Sequence, residues 1–201
     1  MRILLYVTTH MSPQHKHRLD KDWYTPHPAL ARAHVLFYTP STNWEMLRRS
    51  FPNASFLAPP PSLAYKYQQG AMIAMTDNRS LGVFKQYDWI IRLNPDVTIC
   101  SFNETYRHMT SQYDALVGDC EGRIMTDFTV FRPAALEAPK PNRTCGPHKS
   151  SLNAECQMTS QLERSVANGR VRTLYKTPGA YCRMLWKANV MHVHSRRPSC
   201  H

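Results

Sequence analysis

Tyr87-Asp88-Trp89-Ile90-Ile91-Arg92-Leu93-Asn94-Pro95-Asp96-Val97-Thr98-Ile99 decides how the rest of the chain is read, because a near-continuous apolar run yields abruptly to Asn-Pro-Asp. Such a run predicts a strand buried on both faces. Proline cannot donate to a sheet ladder, so the strand is expected to stop near Asn94, leaving Asp96 beyond its carboxyl end. In open α/β sheets that crevice is where ligands bind. The plain reading of the same residues is a strand ending in a turn capped by Asx side chains.

Working outward, Arg2-Ile3-Leu4-Leu5-Tyr6-Val7 reads as a first buried strand that empties into the polar turn Thr8-Thr9-His10. Residues 12–27 are polar and rich in His, Lys and Pro, which suits a loop or short helix over a cleft. His34 to Tyr38 is a second strand closed by Pro40, Asn43 to Ser50 a short helix, and Ala54 to Leu57 a minor strand. Leu63, Tyr67, Ala71 and Ala74 recur at helical spacing, predicting a helix from Ser62 to about Thr76. Lys66 lies on its polar face, and Gly70 within it implies a close neighbour.

Downstream, Asn103 to Tyr113 is read as a surface helix and Ala115-Leu116-Val117-Gly118 as a strand ending in Asp119-Cys120. Thr126 to Pro133 is a period-two strand with Asp127 near its start. Residues 134–149 form a loop rich in Pro and charge. Asn153 can cap a helix running to Ala167, with Glu155 in its first turn. Val171 to Tyr175 and Asn189 to His194 are late strands, the second with His192 and His194 on one face.

With 201 residues, seven glycines, fifteen prolines and no repeat or low-complexity tract, the chain fits one compact domain. Its net charge of +11 predicts an anionic partner: nucleic acid, acidic polysaccharide or nucleoside diphosphate. The basic residues form no Lys/Arg stripe of a DNA-reading helix, and no zinc-finger or RNA-recognition signature is present, so no DNA partner is expected. Six cysteines lack any CxxC pair, which argues against structural zinc. Four Asn-x-Ser/Thr sequons, at Asn53, Asn78, Asn103 and Asn142, favour a glycosylating, Golgi-like secretory lumen over the cytoplasm. Met1 to Val7 is too short for a signal peptide or membrane span, so either a targeting segment has been removed or the sequons are accidental.

In chain order, Val7-Thr8-Thr9, the Arg92-Leu93-Asn94-Pro95-Asp96 strand end, the Thr126-Asp127-Phe128-Thr129-Val130-Phe131-Arg132-Pro133 strand and His192-Val193-His194 resemble the GT-A class of nucleotide-sugar glycosyltransferases, in particular its algal and viral-type members. The resemblance covers most of the chain. It implies a Rossmann-like α/β fold with a mixed, mostly parallel central sheet flanked by helices. A nucleotide-binding part would occupy about 1–100 and an acceptor-side part about 101–201. It also implies a nucleoside-diphosphate-sugar donor, a glycan or other hydroxyl acceptor, and Mn2+ or Mg2+ held by the D-x-D element. Here the first acid of that element is Asn94, a weaker ligand, which leaves Asp96 to make the direct contact. The class's late histidine ligand maps onto His192 or His194.

On this resemblance Val7, Thr8 and Thr9 lie near base and ribose, while Lys66, Arg92 and Asn94 belong to the donor site. Arg92 could equally be a buried partner of Asp88 or Asp127. A transferase that inverts needs a carboxylate to take the acceptor proton. Glu155 is the candidate base, Asp127 the acceptor or sugar ligand, and Asp119 the reserve. Capping and helix-dipole roles are the plain alternatives for Asp127 and Glu155. Two rival functions fit the same features: a non-catalytic basic module binding nucleic acid or acidic glycan, and a metal-dependent hydrolase that attacks with water.

Overall fold

The computed structural model describes residues 1–9, 11–12, 15, 27–59, 72, 74–120, 123–137, 154–177 and 190–192. A seven-stranded mixed sheet carries the fold, in the order β3-β2-β1-β4-β7-β6-β8. Its strands are β1 (Ile3–Thr8), β2 (His34–Tyr38), β3 (Ser55–Leu57), β4 (Trp89–Leu93), β6 (Ala115–Cys120), β7 (Arg123–Phe131) and β8 (Val171–Thr177). A separate pair joins β5 (Val97–Ile99) to β9 (Val190–His192). β1 is parallel to both β2 and β4, while β7 runs antiparallel to β4 and β6. The α/β reading and the mixed, mostly parallel sheet are therefore both present.

Apolar side chains leave both faces of the central strands. Leu5, Val7, Ile91 and Leu93 enter one core, and Leu4, Tyr6 and Ile90 enter the other. Burial on both sides is why β1 and β4 read as continuous apolar runs rather than alternating ones. On the second face the Tyr6 hydroxyl donates to the Ala74 carbonyl (3.1 Å) and shares a 2.9 Å bond with Ser80 Oγ. Those bonds fix the helical residues before β4 to the sheet.

Several boundaries differ from the sequence reading, each for a local reason. Of the helix predicted over 62–76, the described part is helical at 72 and 74–76, and a further helix, Asn78–Phe84, follows it. Asp77 caps that second helix by accepting from the Arg79 amide at 2.9 Å. The surface helix stops at His108, not Tyr113, because the next carbonyls go to arginines: Thr110 to Arg132 and Ser111 to Arg170. The predicted helix ending at Ala167 is two, Ala154–Gln161 and Glu163–Ala167. Thr159 and Ser160 hydroxyls donate to the carbonyls of Glu155 and Gln157, competing with the helix ladder just before the break. Asn153, Gly70 and the 138–149 loop lie outside the described residues.

β6 ends in Asp119-Cys120 as expected, with register shifts against both neighbours around Gly118. β7 starts at Arg123, three residues before the predicted strand. Asp127 is accordingly its fifth residue and not near its start, a correction that moves the acid toward the middle of the sheet's edge. The amino ends of β6 and β8 are held together by Asp114, whose carboxylate accepts from Arg170 Nε (2.8 Å) and Nη2 (2.9 Å). That ion pair holds the Asp114 carboxyl below the usual carboxylate range, the Arg170 hydrogen bonds outweighing burial.

Candidate functional site

β4 ends at Leu93, and Asn94-Pro95-Asp96 turns out of the sheet before β5 begins at Val97. The register explains what this turn faces. Leu93 pairs with Phe128, so Asn94 comes level with Asp127 and its amide donates to the Asp127 carbonyl at 3.1 Å. Thr8, at the carboxyl end of β1, stands beside the same edge. Three strands thus deliver Thr8, Arg92, Asn94 and Asp127 to one place.

The centre of the group is Arg92, 0% exposed. Its Nη2 donates to Thr8 Oγ1 (2.8 Å) and to Asn94 Oδ1 (2.7 Å), and Asn94 Nδ2 passes the connection on to Asp127 Oδ1 (2.8 Å). Thr8 Oγ1 adds a longer bond to Asn94 Oδ1 at 3.4 Å. Arg92 Nε and Nη1 are buried with no hydrogen-bond partner among the described residues. Burial pushes the Arg92 guanidinium down to about 10, against the attraction of Asp127, Asp96, Tyr6 and Glu155. Asp96, Asp127 and Glu155, all named from the sequence, thus attract one buried cation. Asp96 and Asp127 are each 6% exposed, and Glu155 is half-buried.

The alternative partner for Arg92, Asp88, is at the opposite end of β4, where its carboxylate accepts from the Arg2 amide at 2.6 Å. Val7 sends its side chain into the hydrophobic core, so only its backbone can contribute to a cleft. Thr9 Oγ1 accepts from the Met11 amide (2.9 Å) and bonds His15 Nδ1 (2.8 Å). His15 Nε2 in turn lies 3.8 Å from Asp96 Oδ2. His192 pairs through its backbone with Val97, the residue after Asp96. Asp119 lies at the carboxyl end of β6, on the same sheet edge. Lys66 and His194 lie outside the described residues. Among the described residues no three His, Cys, Asp or Glu side chains gather at metal-binding spacing.

Two participants were not anticipated. His15 sits in a polar segment without periodicity, where nothing distinguishes it from neighbouring histidines. Tyr175, buried with its hydroxyl unbonded among the described residues, packs its ring over Gly118. Burial, and then the charge of Asp127, raise its phenol above the usual range.

No protein-family model matches the sequence, and no curated protein is significantly similar to it. Solved structures do resemble it. A protein from Desulfovibrio desulfuricans G20 assigned as a nucleotide-diphospho-sugar transferase aligns over 88% of this chain and 81% of its own, with 12% identity and a TM-score of 0.54. The fold is that of the GT-A nucleotide-diphospho-sugar transferases. Glucosyl-3-phosphoglycerate synthase from Mycobacterium tuberculosis, in complex with phosphoglyceric acid, matches at the same TM-score of 0.54, with 8% identity over 92% of this chain and 73% of that one. A mannosyltransferase from Pyrobaculum calidifontis, in complex with GDP-Man and Mn2+, overlaps less: TM-score 0.44, 8% identity, 65% of this chain and 44% of that one. At such identities the likeness establishes the GT-A architecture.

Proposed function

We propose that this chain is a metal-dependent glycosyltransferase that moves a sugar from a nucleoside-diphosphate-sugar donor to a glycan or other hydroxyl acceptor. The observation that carries the reading is the buried Arg92 among Asp96, Asp127 and Glu155 at the ligand-binding edge of a GT-A sheet. Three carboxylates against one guanidinium leave a surplus of negative charge built from hard oxygen donors, which fits Mn2+ or Mg2+. Such ions are commonly held by one or two carboxylates and completed by substrate phosphates, so a large protein cage is not required. Asp96 would hold the ion, with His192 or His194 as the expected nitrogen ligand. When bound, the ion supplies positive charge to the phosphate oxygens of the departing diphosphate.

The chain's own residues supply the rest. Asn94 does not serve as a ligand in this reading. Its amide oxygen already accepts from Arg92 and Thr8, and its nitrogen donates to Asp127. It fixes the Asp127 carboxylate for an acceptor or sugar hydroxyl, while Glu155 takes the acceptor proton. Thr8 and Thr9 border the nucleoside. Lys66 remains a candidate for the phosphates.

The test is thermal. A matching nucleoside diphosphate with Mn2+, at about a hundred times its Kd, is expected to raise the melting temperature by roughly 5–10 °C. Asp96→Ala should abolish the rise. Absence of any shift with UDP, GDP or their sugars, with Mn2+ or Mg2+, would count against the reading. A salt-sensitive, metal-independent shift with polyanions would instead favour the basic binding module.

We further place the chain in an oxidising, glycosylating lumen. Cys100 and Cys156 each take part in a disulfide. Asn53, Asn78 and Asn103 are all exposed. No helix among the described residues is long and apolar enough to cross a membrane. Expressed through a secretory pathway, the protein should lose mass on endoglycosidase treatment, and each Asn→Gln change should remove one step. Unglycosylated protein whose cysteines all react with maleimide without reductant would refute this placement.

A further inference from the structure

We infer that an N-linked glycan on Asn103 packs its first sugar against the ring of Tyr106 and so becomes part of the folded structure. The inference rests on the lumenal placement proposed above and deepens it, singling out one sequon as a built site.

Asn103-Glu104-Thr105 opens the helix Asn103–His108. Asn103 is exposed, and Tyr106, three residues on, is its neighbour on the helix surface. A helical side chain leans back over the turn that precedes it. Tyr106 does so, its ring centroid lying 6.2 Å from that of Phe102. The same ring is 5.2 Å from His27, which meets Phe102 edge-on at 5.3 Å. Both supports are fixed. Phe102 is buried in the main core, and His27 Nδ1 accepts from the Ala29 amide at 3.1 Å. Tyr106 is nevertheless 39% exposed, and among the described residues no other Phe, Trp or Tyr is exposed.

A ring held by two others and open to water beside a sequon suits one ligand in particular. An N-acetylhexosamine carries a face of C–H groups that matches the negative face of an aromatic ring, and covering the ring withdraws apolar area from water. The tether makes the encounter intramolecular, so a weak contact suffices. The covalent step is the lumen's ordinary one: Asn103 Nδ2 displaces a diphosphate leaving group from the anomeric carbon of the glycan and gives up one proton. The other described sequons offer no such surface. Asn78 also opens a helix, but beside it Arg79 pairs with Asp77 at 2.7 Å, and the residue three on is Leu81. Phe56, three residues after Asn53, is covered by the Arg48 guanidinium at 5.1 Å.

The test uses protein secreted from glycosylating cells, with the occupancy of each sequon read by mass spectrometry. Trimming every glycan to its first N-acetylglucosamine should leave the melting temperature unchanged. Asn103→Gln should lower it by about 2–4 °C, and Asn78→Gln by less than about 1 °C. In protein made without glycans, Asn103→Gln should have no effect. Tyr106→Ala loses the contacts with His27 and Phe102 in any case, so the informative step is the double variant: adding Asn103→Gln to Tyr106→Ala should lower the melting temperature no further. An Asn103→Gln effect that is absent, or equal in the two backgrounds, would overturn the inference, as would an unmodified Asn103 where Asn53 and Asn78 are occupied. In each of these cases the lumenal placement stands. A chain bare at every sequon removes both. If Tyr106→Ala does not fold, Tyr106→Leu takes its place in the cycle with the same expectation.

Discussion

Arg92→Met is expected to abolish donor-dependent function while changing the stability of the protein by no more than about 2 kcal/mol. Two opposing effects produce the near-cancellation. A guanidinium pushed down to about 10 carries its charge in the folded state at a cost of about 3 kcal/mol, attraction from the surrounding acids already included. Methionine removes that cost. It also removes the donors to Thr8 Oγ1 and Asn94 Oδ1, and charged hydrogen bonds of this kind contribute about 1.5–3 kcal/mol each. Since both run from the single Nη2, the loss falls near the lower end for the pair.

Function has no such compensation. Asn94 is left without its cationic anchor, and the amide that orients the Asp127 carboxylate is free to turn. A misplacement of about 1 Å at such a group costs on the order of a hundredfold in rate. Turnover of whichever donor raises the melting temperature should therefore fall by that factor or more, and the nucleotide-dependent thermal shift should shrink. The pH dependence separates the two terms. Because the folded pKa is depressed, the unfolded chain holds more protons above pH 10, so the wild type gains on the variant only as pH rises through 10. Below that the difference is flat. A variant that unfolds several kcal/mol more easily, with function reduced only in proportion, would show that Arg92 serves stability alone.

Residues that obey a period were legible in the sequence, and residues that act through space were not. The Tyr87 to Ile99 stretch announced β4 because burial on both faces demands an apolar run, and Pro95 announced its end. Asp96 and Asp127 could be picked out because each is an acid interrupting an otherwise apolar strand context. The Arg92, Asn94 and Asp127 chain could not be read, since it depends on the Leu93 to Phe128 register, set by long-range pairing. His15 was hidden for a similar reason: its place is determined by one left-handed residue and two local hydrogen bonds, none of which leaves a pattern. β5 and β9 are three residues each and owe their existence to each other, so neither carries enough periodicity to stand out alone. The GT-A resemblance supplied the order of the motifs, and the register then joined Asn94 to Arg92 and Asp127.

Gly118→Ala should destabilise the fold by about 1–3 kcal/mol, through overpacking of a site already closed. An added Cβ would meet Tyr175 at 2.1 Å from Cε2 and 2.3 Å from Cζ and the hydroxyl. No side-chain carbon tolerates such a distance, so the ring must move, and it is 9% exposed within the core that also holds Val97, Met125 and Phe128. The glycine stands where β6 slips its register against both β7 and β8, which is how the ring comes to lie over the strand backbone. Tyr175→Leu shortens the intruding side chain, so the double variant Gly118→Ala/Tyr175→Leu should be more stable than the sum of the two single changes by at least about 1 kcal/mol. Urea unfolding of the four proteins measures this coupling directly, and strict additivity would exclude the clash. The same cycle bears on the site. Tyr175 feels the charge of Asp127, so displacing its ring disturbs the surroundings of the acid that Asn94 positions. Gly118→Ala is thus expected to reduce the Mn2+ and nucleotide thermal shift as well, and the Tyr175→Leu partner to restore part of it.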